Sequence, residues 1–233
     1  MIAFLPFSKV RIFFYRIFLG YKISYKSKIG PFNLLLIGNC EITDAVIGMF
    51  NKISCKKLVL SKKSRISKYN RFSFVNYIII GESSVIRNNN TISGTTFETP
   101  YKNFEGIKIG NHSTITNGHA FDCADSIEIG SKVIVGGSGS QFWTHGFTND
   151  RVKIQGPIII EDNIYIGSRC MFMPAIRICT DNVIAGGTTV SKSILESGIY
   201  ASSKLIKISD VKKLYNSEGV TVFNNSRYIR KEV

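Results

Sequence analysis

The chain is 233 residues long, enough for one large domain or two small ones, and its 44% hydrophobic content provides a sizeable core and excludes wholesale disorder. Twenty glycines and five prolines exclude collagen and Pro-rich low complexity. Thirty Lys and Arg against sixteen Asp and Glu leave a formal charge of +14, which favours anionic partners (nucleic acid, acidic lipid, a phosphorylated small molecule) without choosing among them.

The first segment reads as a helix, because Val10, Phe13, Phe14, Ile17 and Phe18 recur at helical spacing. Ser8 is the expected N-cap and Gly20 the expected stop. Residues 1–28 hold six basic residues and no acidic one. Such a basic amphipathic helix either caps the end of the core that follows or makes peripheral membrane contact on anionic lipid. Lys9, Arg11 and Arg16 interrupt the apolar run, so neither a secretory signal nor a spanning helix is expected. The expected location is the cytoplasm, at the inner face of the membrane if the helix lies on lipid.

Beyond residue 30 a period of six replaces the helical one. Ile160, Ile166, Phe172, Ile178, Ile184 and Val190 stand six apart without a break, with small or polar residues between them. An earlier register runs through Ile109, Ile115, Phe121 and Ile127, shifts by two and resumes at Ile129 and Val135; fainter copies start at Ile80, Ile47 and Ile37. Six residues hold one short strand and one tight turn, with a single apolar side chain directed inward. One such unit cannot bury its own face, so the pattern predicts an all-β solenoid, a parallel β-helix with identical positions stacked on successive coils. The five cysteines show no CxxC and no regular spacing, and their number is odd. They read as buried small hydrophobes in a reducing compartment rather than as disulfides or a zinc site.

The segment 159–178, with its Tyr165-Ile166-Gly167 step and Pro174 before Ile176 and Ile178, resembles the hexapeptide-repeat acyltransferases. These include the galactoside, maltose and xenobiotic acetyltransferases and enzymes that acetylate bacterial surface polysaccharide. The resemblance covers roughly residues 37–208. It implies a left-handed β-helix, a homotrimer with active sites between subunits, and acetyl-CoA as cosubstrate, with no permanently bound cofactor and no metal. The resulting organisation is a helix at 1–28, the acyltransferase solenoid at 29–208 with a catalytic loop at about 142–157, and a basic extension at 209–233.

The sequence Gln141, Phe142, Trp143, Thr144, His145 follows a repeat, after which residues 146–157 lose the six-residue signal and read as a projecting loop. An imidazole with an ordinary pKa near 6.5 suits proton removal from an attacking hydroxyl or amine, and the family's catalytic His stands at this step, so His145 is the expected general base. Asn117 and Asp122 are candidates for the acceptor site, and Asp122 is also a candidate to orient the imidazole. Trp143 is a further acceptor-site candidate and His119 a weaker one; His112 reads as a turn residue. Gly136, Gly137, Ser138 and Gly139 offer backbone N–H groups for an oxyanion. Positions matching the family's contacts to coenzyme A are Tyr165, Ser168, Gly186, Ser191, Lys192 and Lys204. Tyr165 replaces the usual Trp, and at 200–206 only Lys204 and the apolar residues survive of the segment that meets the adenine end.

Residues 45–81 carry eight Lys and Arg and no acid, and no DNA- or RNA-binding motif accompanies them. The function expected is acetyl transfer from acetyl-CoA to a hydroxyl of a bacterial surface polysaccharide sugar or its precursor. An N-acetyltransferase acting on an amino-sugar nucleotide would use the same base and donor. A non-catalytic scaffold and a nucleic-acid binder are rivals from other classes.

Overall fold

The computed structural model describes residues 2–97, 99, 101–147, 149 and 152–202, and the backbone of two strands at Val220–Phe223 and Ser226–Ile229. The chain divides into two compact units, Met1–Ser202 and Ser203–Val233. The described part of the second is one antiparallel hairpin. The first is a helix followed by a parallel β-helix of about nine turns.

Three columns of inward side chains build the core. Ile42, Leu60, Ile80, Ile109, Ile129, Ile160 and Ile178 pair in parallel register along one face. Ile29, Ile47, Ile66, Ile86, Ile115, Val135, Ile166 and Ile184 do so along the second. The third runs Leu35, Ile53, Phe72, Ile92, Phe121, Phe142, Phe172, Val190. In it the rings of Phe121, Phe142 and Phe172 stack at 4.4 and 4.5 Å. The sixfold apolar period is therefore the inward side chain of each face in turn.

One corner carries a buried polar ladder. The Oδ1 of Asn33 accepts from the N–H of Asn51 at 2.8 Å, Asn51 from Asn70 at 2.9 Å, and Asn70 from Asn90 at 3.0 Å. Asn90 then accepts from the N–H of His119 at 2.9 Å, and His119 Nδ1 from the N–H of Ser140 at 3.2 Å. Each side chain satisfies the turn amide of the next coil, where no strand ladder reaches. The same corner uses left-handed non-glycine residues just before the first three ladder asparagines, Phe32, Phe50 and Tyr69, whose rings stack at 5.0 and 5.1 Å.

Two excursions leave the coil at the end of the third face. The second, after Trp143, is the loop expected from sequence; it contains a hairpin of His145–Phe147 and Lys153–Gln155. The first, residues 94–105, was not anticipated. It is closed by Glu105, which is fully buried and takes Lys102 Nζ at 2.8 Å and the N–H of Thr95 at 2.9 Å.

The helix spans Ser8–Leu19 with Phe7 as N-cap, and Gly20 ends it in the left-handed conformation. Ser8 does not cap it; its Oγ accepts from the N–H of Ile29 at 2.8 Å. Of the two roles left open for its apolar face, capping the core is not the one this face takes. Arg11, Ile12 and Tyr15 are buried, while Phe13, Ile17 and Phe18 are exposed. Arg11 accounts for the difference, because Nε and Nη2 donate to the carbonyl of Ile29 at 3.0 and 2.7 Å and fix the helix rotation. Burial pushes its pKa down from the usual guanidinium value, the nearby Tyr15 hydroxyl opposing. Among the described residues no helix is long and apolar enough to cross a membrane. The cysteines are free, four of them buried.

Candidate active site

The third face ends at Asp122 on one coil and Trp143 on the next, and the two are partners in register. The chain turns outward one residue after Trp143, which places His145 above Asp122. Asp122 Oδ1 accepts from His145 Nδ1 at 3.0 Å and from the N–H of Ala124 at 3.1 Å. The pair is partly exposed, 23% for the His145 side chain and 20% for Asp122. With Nδ1–H committed to the carboxylate, Nε2 carries the lone pair and is the basic atom.

Thr144 holds this geometry from below. It is fully buried, donates from Oγ1 to the carbonyl of Asp122 at 2.7 Å and accepts from the N–H of Asp125 at 2.9 Å. Its own carbonyl takes the N–H of Gly156 at 2.9 Å, pinning the far end of the loop. Gln155 is opposite His145 in the hairpin and reaches the carbonyl of Ala124 at 3.4 Å. Phe147 meets the His145 ring edge-on at 5.6 Å. Thr91, Ser93, Ala120, Asp122 and Trp143 line a crevice of about 70 Å³ beside the dyad.

The sequence-derived candidates separate into groups. His145, Asp122 and Trp143 come together at one edge of the third face. Val190 pairs with Phe172, which pairs with Phe142, so Ser191 and the exposed Lys192 follow the same edge two coils on, roughly 10 Å from Trp143 at the usual strand spacing.

At the opposite edge lie 136–139, Ser168 and Gly186. A Cβ on Gly137, which has φ +64°, would stand 1.7 Å from Ser168 Oγ, so only glycine fits there. The strand Gln141–Trp143 separates this glycine turn from His145, and the amides of Gly136 and Gly139 already bond Ile166 and Gly118. Tyr165 is exposed on the second face, between Ile134 and Val183. Asn117 is exposed at that same edge and accepts from the N–H of Asn88 at 3.0 Å. Lys204 lies outside the described residues.

His119 differs from the sequence expectation. It is buried in the polar ladder, with Nδ1 on Ser140 and Nε2 3.0 Å from Thr116 Oγ1, so neither nitrogen is free for an acceptor. Burial lowers its pKa to about 4. His112 is an exposed left-handed turn residue. Thr144 as loop anchor and Gln155 as hairpin partner were not assigned from sequence. Among the described residues no cluster of His, Cys, Asp and Glu is arranged to hold a metal ion.

The chain resembles the hexapeptide-repeat acetyltransferases. Among solved structures it is similar to one such enzyme from Vibrio cholerae O1 biovar eltor in complex with acetyl-CoA, at 26% identity and a TM-score of 0.40 over 41% of this chain and 55% of that one. The present chain thus spans about 55% of that enzyme's length. A maltose O-acetyltransferase from Clostridium difficile 630 is similar at 21% identity and a TM-score of 0.40, covering 54% of this chain and 62% of that one. A polysialic acid O-acetyltransferase is similar at 14% identity and a TM-score of 0.48, covering 83% and 91%. No protein-family model and no curated protein matches the chain.

Proposed function

We propose that this chain is an acetyl-CoA-dependent O-acetyltransferase acting on a hydroxyl of a bacterial surface polysaccharide sugar or its precursor. The observation that carries the reading is the His145–Asp122 pair, a partly exposed imidazole with one nitrogen held by a carboxylate and the other without a hydrogen-bond partner among the described residues. In the mechanism, Nε2 takes the proton of the acceptor hydroxyl as its oxygen attacks the thioester carbonyl. Asp122 stabilises the imidazolium that forms. The tetrahedral intermediate collapses, the acyl carbon–sulfur bond breaks, and the imidazolium returns its proton to the leaving thiolate. The products are the sugar ester and free coenzyme A.

The donor comes from the resemblance of segment 159–178 to the acyltransferase repeats. Ser191, Lys192 and Trp143 share the edge that carries His145, and they are the residues proposed to meet acetyl-CoA and acceptor there. Tyr165, Ser168, Gly186 and Asn117 stand across the third face from the dyad. They would meet substrate through the groove between two subunits of a homotrimer, which is part of the same proposal, as is a cytoplasmic location.

The test is thiol release from acetyl-CoA in the presence of surface-sugar acceptors, with mass and NMR localisation of the new ester. His145→Ala is expected to lose about a hundred- to ten-thousand-fold in turnover, and Asp122→Asn a smaller factor. Unchanged turnover in His145→Ala overturns the proposed base.

A further inference from the structure

We propose that the outer face of the helix is a docking surface for an anionic lipid bilayer. The proposal goes beyond acyl transfer and does not depend on it. The inner face of the helix closes the first coil, with Ile12 buried and Tyr15 stacked on Tyr21 at 5.8 Å. Arg11 locks that rotation, so the opposite face is held outward. It presents Phe13, Ile17 and Phe18 (67% exposed), and the turn before it adds Phe7 (69%) and Phe4 (72%). Phe4 meets Phe32 edge-on at 5.6 Å, which continues the apolar surface onto the first coil.

Cations surround this patch. Lys9, Lys26 and Lys28 are exposed, form no ion pair among the described residues, and line with Phe7 and Tyr25 a groove of about 690 Å³. The first acidic residue of the chain is Glu41, so no carboxylate from residues 1–40 offsets them. Exposed aromatic rings beside unpaired ammonium groups match the acyl boundary and the phosphates of a lipid surface at once. A protein partner of the apolar face alone would leave the lysines without a counter-charge. The fold then stands end-on. Phe142, next to the dyad, is five coils from Leu35, about 24 Å at the usual strand spacing.

The full chain is sedimented with vesicles of phosphatidylcholine and with vesicles that also contain phosphatidylglycerol. Binding is expected to the second and to be at least about tenfold weaker on the first. The double variant Phe13→Glu with Phe18→Glu, whose side chains lie outside the core, is expected to keep the thermal midpoint and lose binding by a similar factor. Lys9→Gln with Lys26→Gln is expected to abolish the preference for phosphatidylglycerol. Absence of binding to either vesicle overturns the proposal. So does binding that the Phe13→Glu, Phe18→Glu variant leaves unchanged. Light scattering supplies the remaining arm: self-association abolished by that variant, without vesicle binding, would make the face a contact between copies and overturn it.

Discussion

Two histidines in this chain have opposite environments, and their surroundings set their chemistry. His145 shares one nitrogen with a carboxylate on a partly exposed side chain, whereas His119 is sealed within the corner ladder. Burial opposes charge on His119 and lowers its pKa to about 4, from 6.5 in an unfolded chain. The ring also accepts from the N–H of Ser140, and that bond is lost if Nδ1 is protonated. The unfolded chain therefore binds a proton first as pH falls, and stability present above about pH 6.5 is withdrawn on the way down to about pH 4. Linkage for this one group amounts to on the order of 2 kcal/mol between pH 7 and pH 5. The ladder offers its own control, because asparagine occupies the equivalent position on the four preceding coils. His119→Asn is expected to keep the bond to Ser140 and remove most of this acid sensitivity, read as a flatter thermal midpoint across pH 4–7. An equally steep dependence in the variant would place the titration elsewhere.

At the level of elements, the loop that carries His145 is anchored at its base. Thr144 ties it to Asp122, Asp125 and Gly156. Thr144→Val keeps the volume but leaves the part-buried amide of Asp125 without this acceptor and removes a donor from the Asp122 carbonyl. The expected cost is about 1–3 kcal/mol. Because the same bonds set the height of His145 over Asp122, turnover should fall more than acceptor affinity, which steady-state kinetics separates from a simple loss of folded protein. Sequence legibility follows the same division. The inward columns repeat every six residues, so the solenoid from Ile109 to Val190 could be read directly. Asp122 as the partner of His145 was one of two readings, since contact across coils is set by register and 23 residues separate the pair. The excursion at 94–105 leaves only a gap, 29 residues from Ile80 to Ile109 where neighbouring coils take 18 to 20. The rotation of the helix was illegible for a different reason. Its most apolar face faces outward, and the buried guanidinium of Arg11 that turns it has no sequence signature.

For the whole molecule, the excess of +14 is spread over residues that the core does not use, and much of it stands on the coils preceding the site. Lys52 and Arg71 are outward-facing partners in register on the third face, and the same column continues through Thr91, Ala120 and Gln141 to the crevice beside the dyad. Two stacked cations of this kind would attract an anionic chain to the face. The hairpin adds a further cation. Lys153 pairs with Phe147, two residues from His145 and on the same hairpin face, and its Nζ is buried with no hydrogen-bond partner among the described residues. A carboxylated or phosphorylated saccharide would supply that counter-charge, whereas a neutral sugar would leave it unmatched. If the proposed transfer holds, KM for an acidic acceptor should rise about threefold or more between low salt and roughly 0.15 M, where the Debye length falls to ~8 Å. KM for a neutral acceptor should stay flat, and turnover should change little for either. Arg71→Gln is expected to reduce the salt slope without altering turnover at saturation. Lys153→Met is expected to raise KM for the acidic acceptor several-fold at every salt concentration, because a short-range contact is less screened than a steering field. Equal salt slopes for charged and neutral acceptors would assign Lys52 and Arg71 to some other anion.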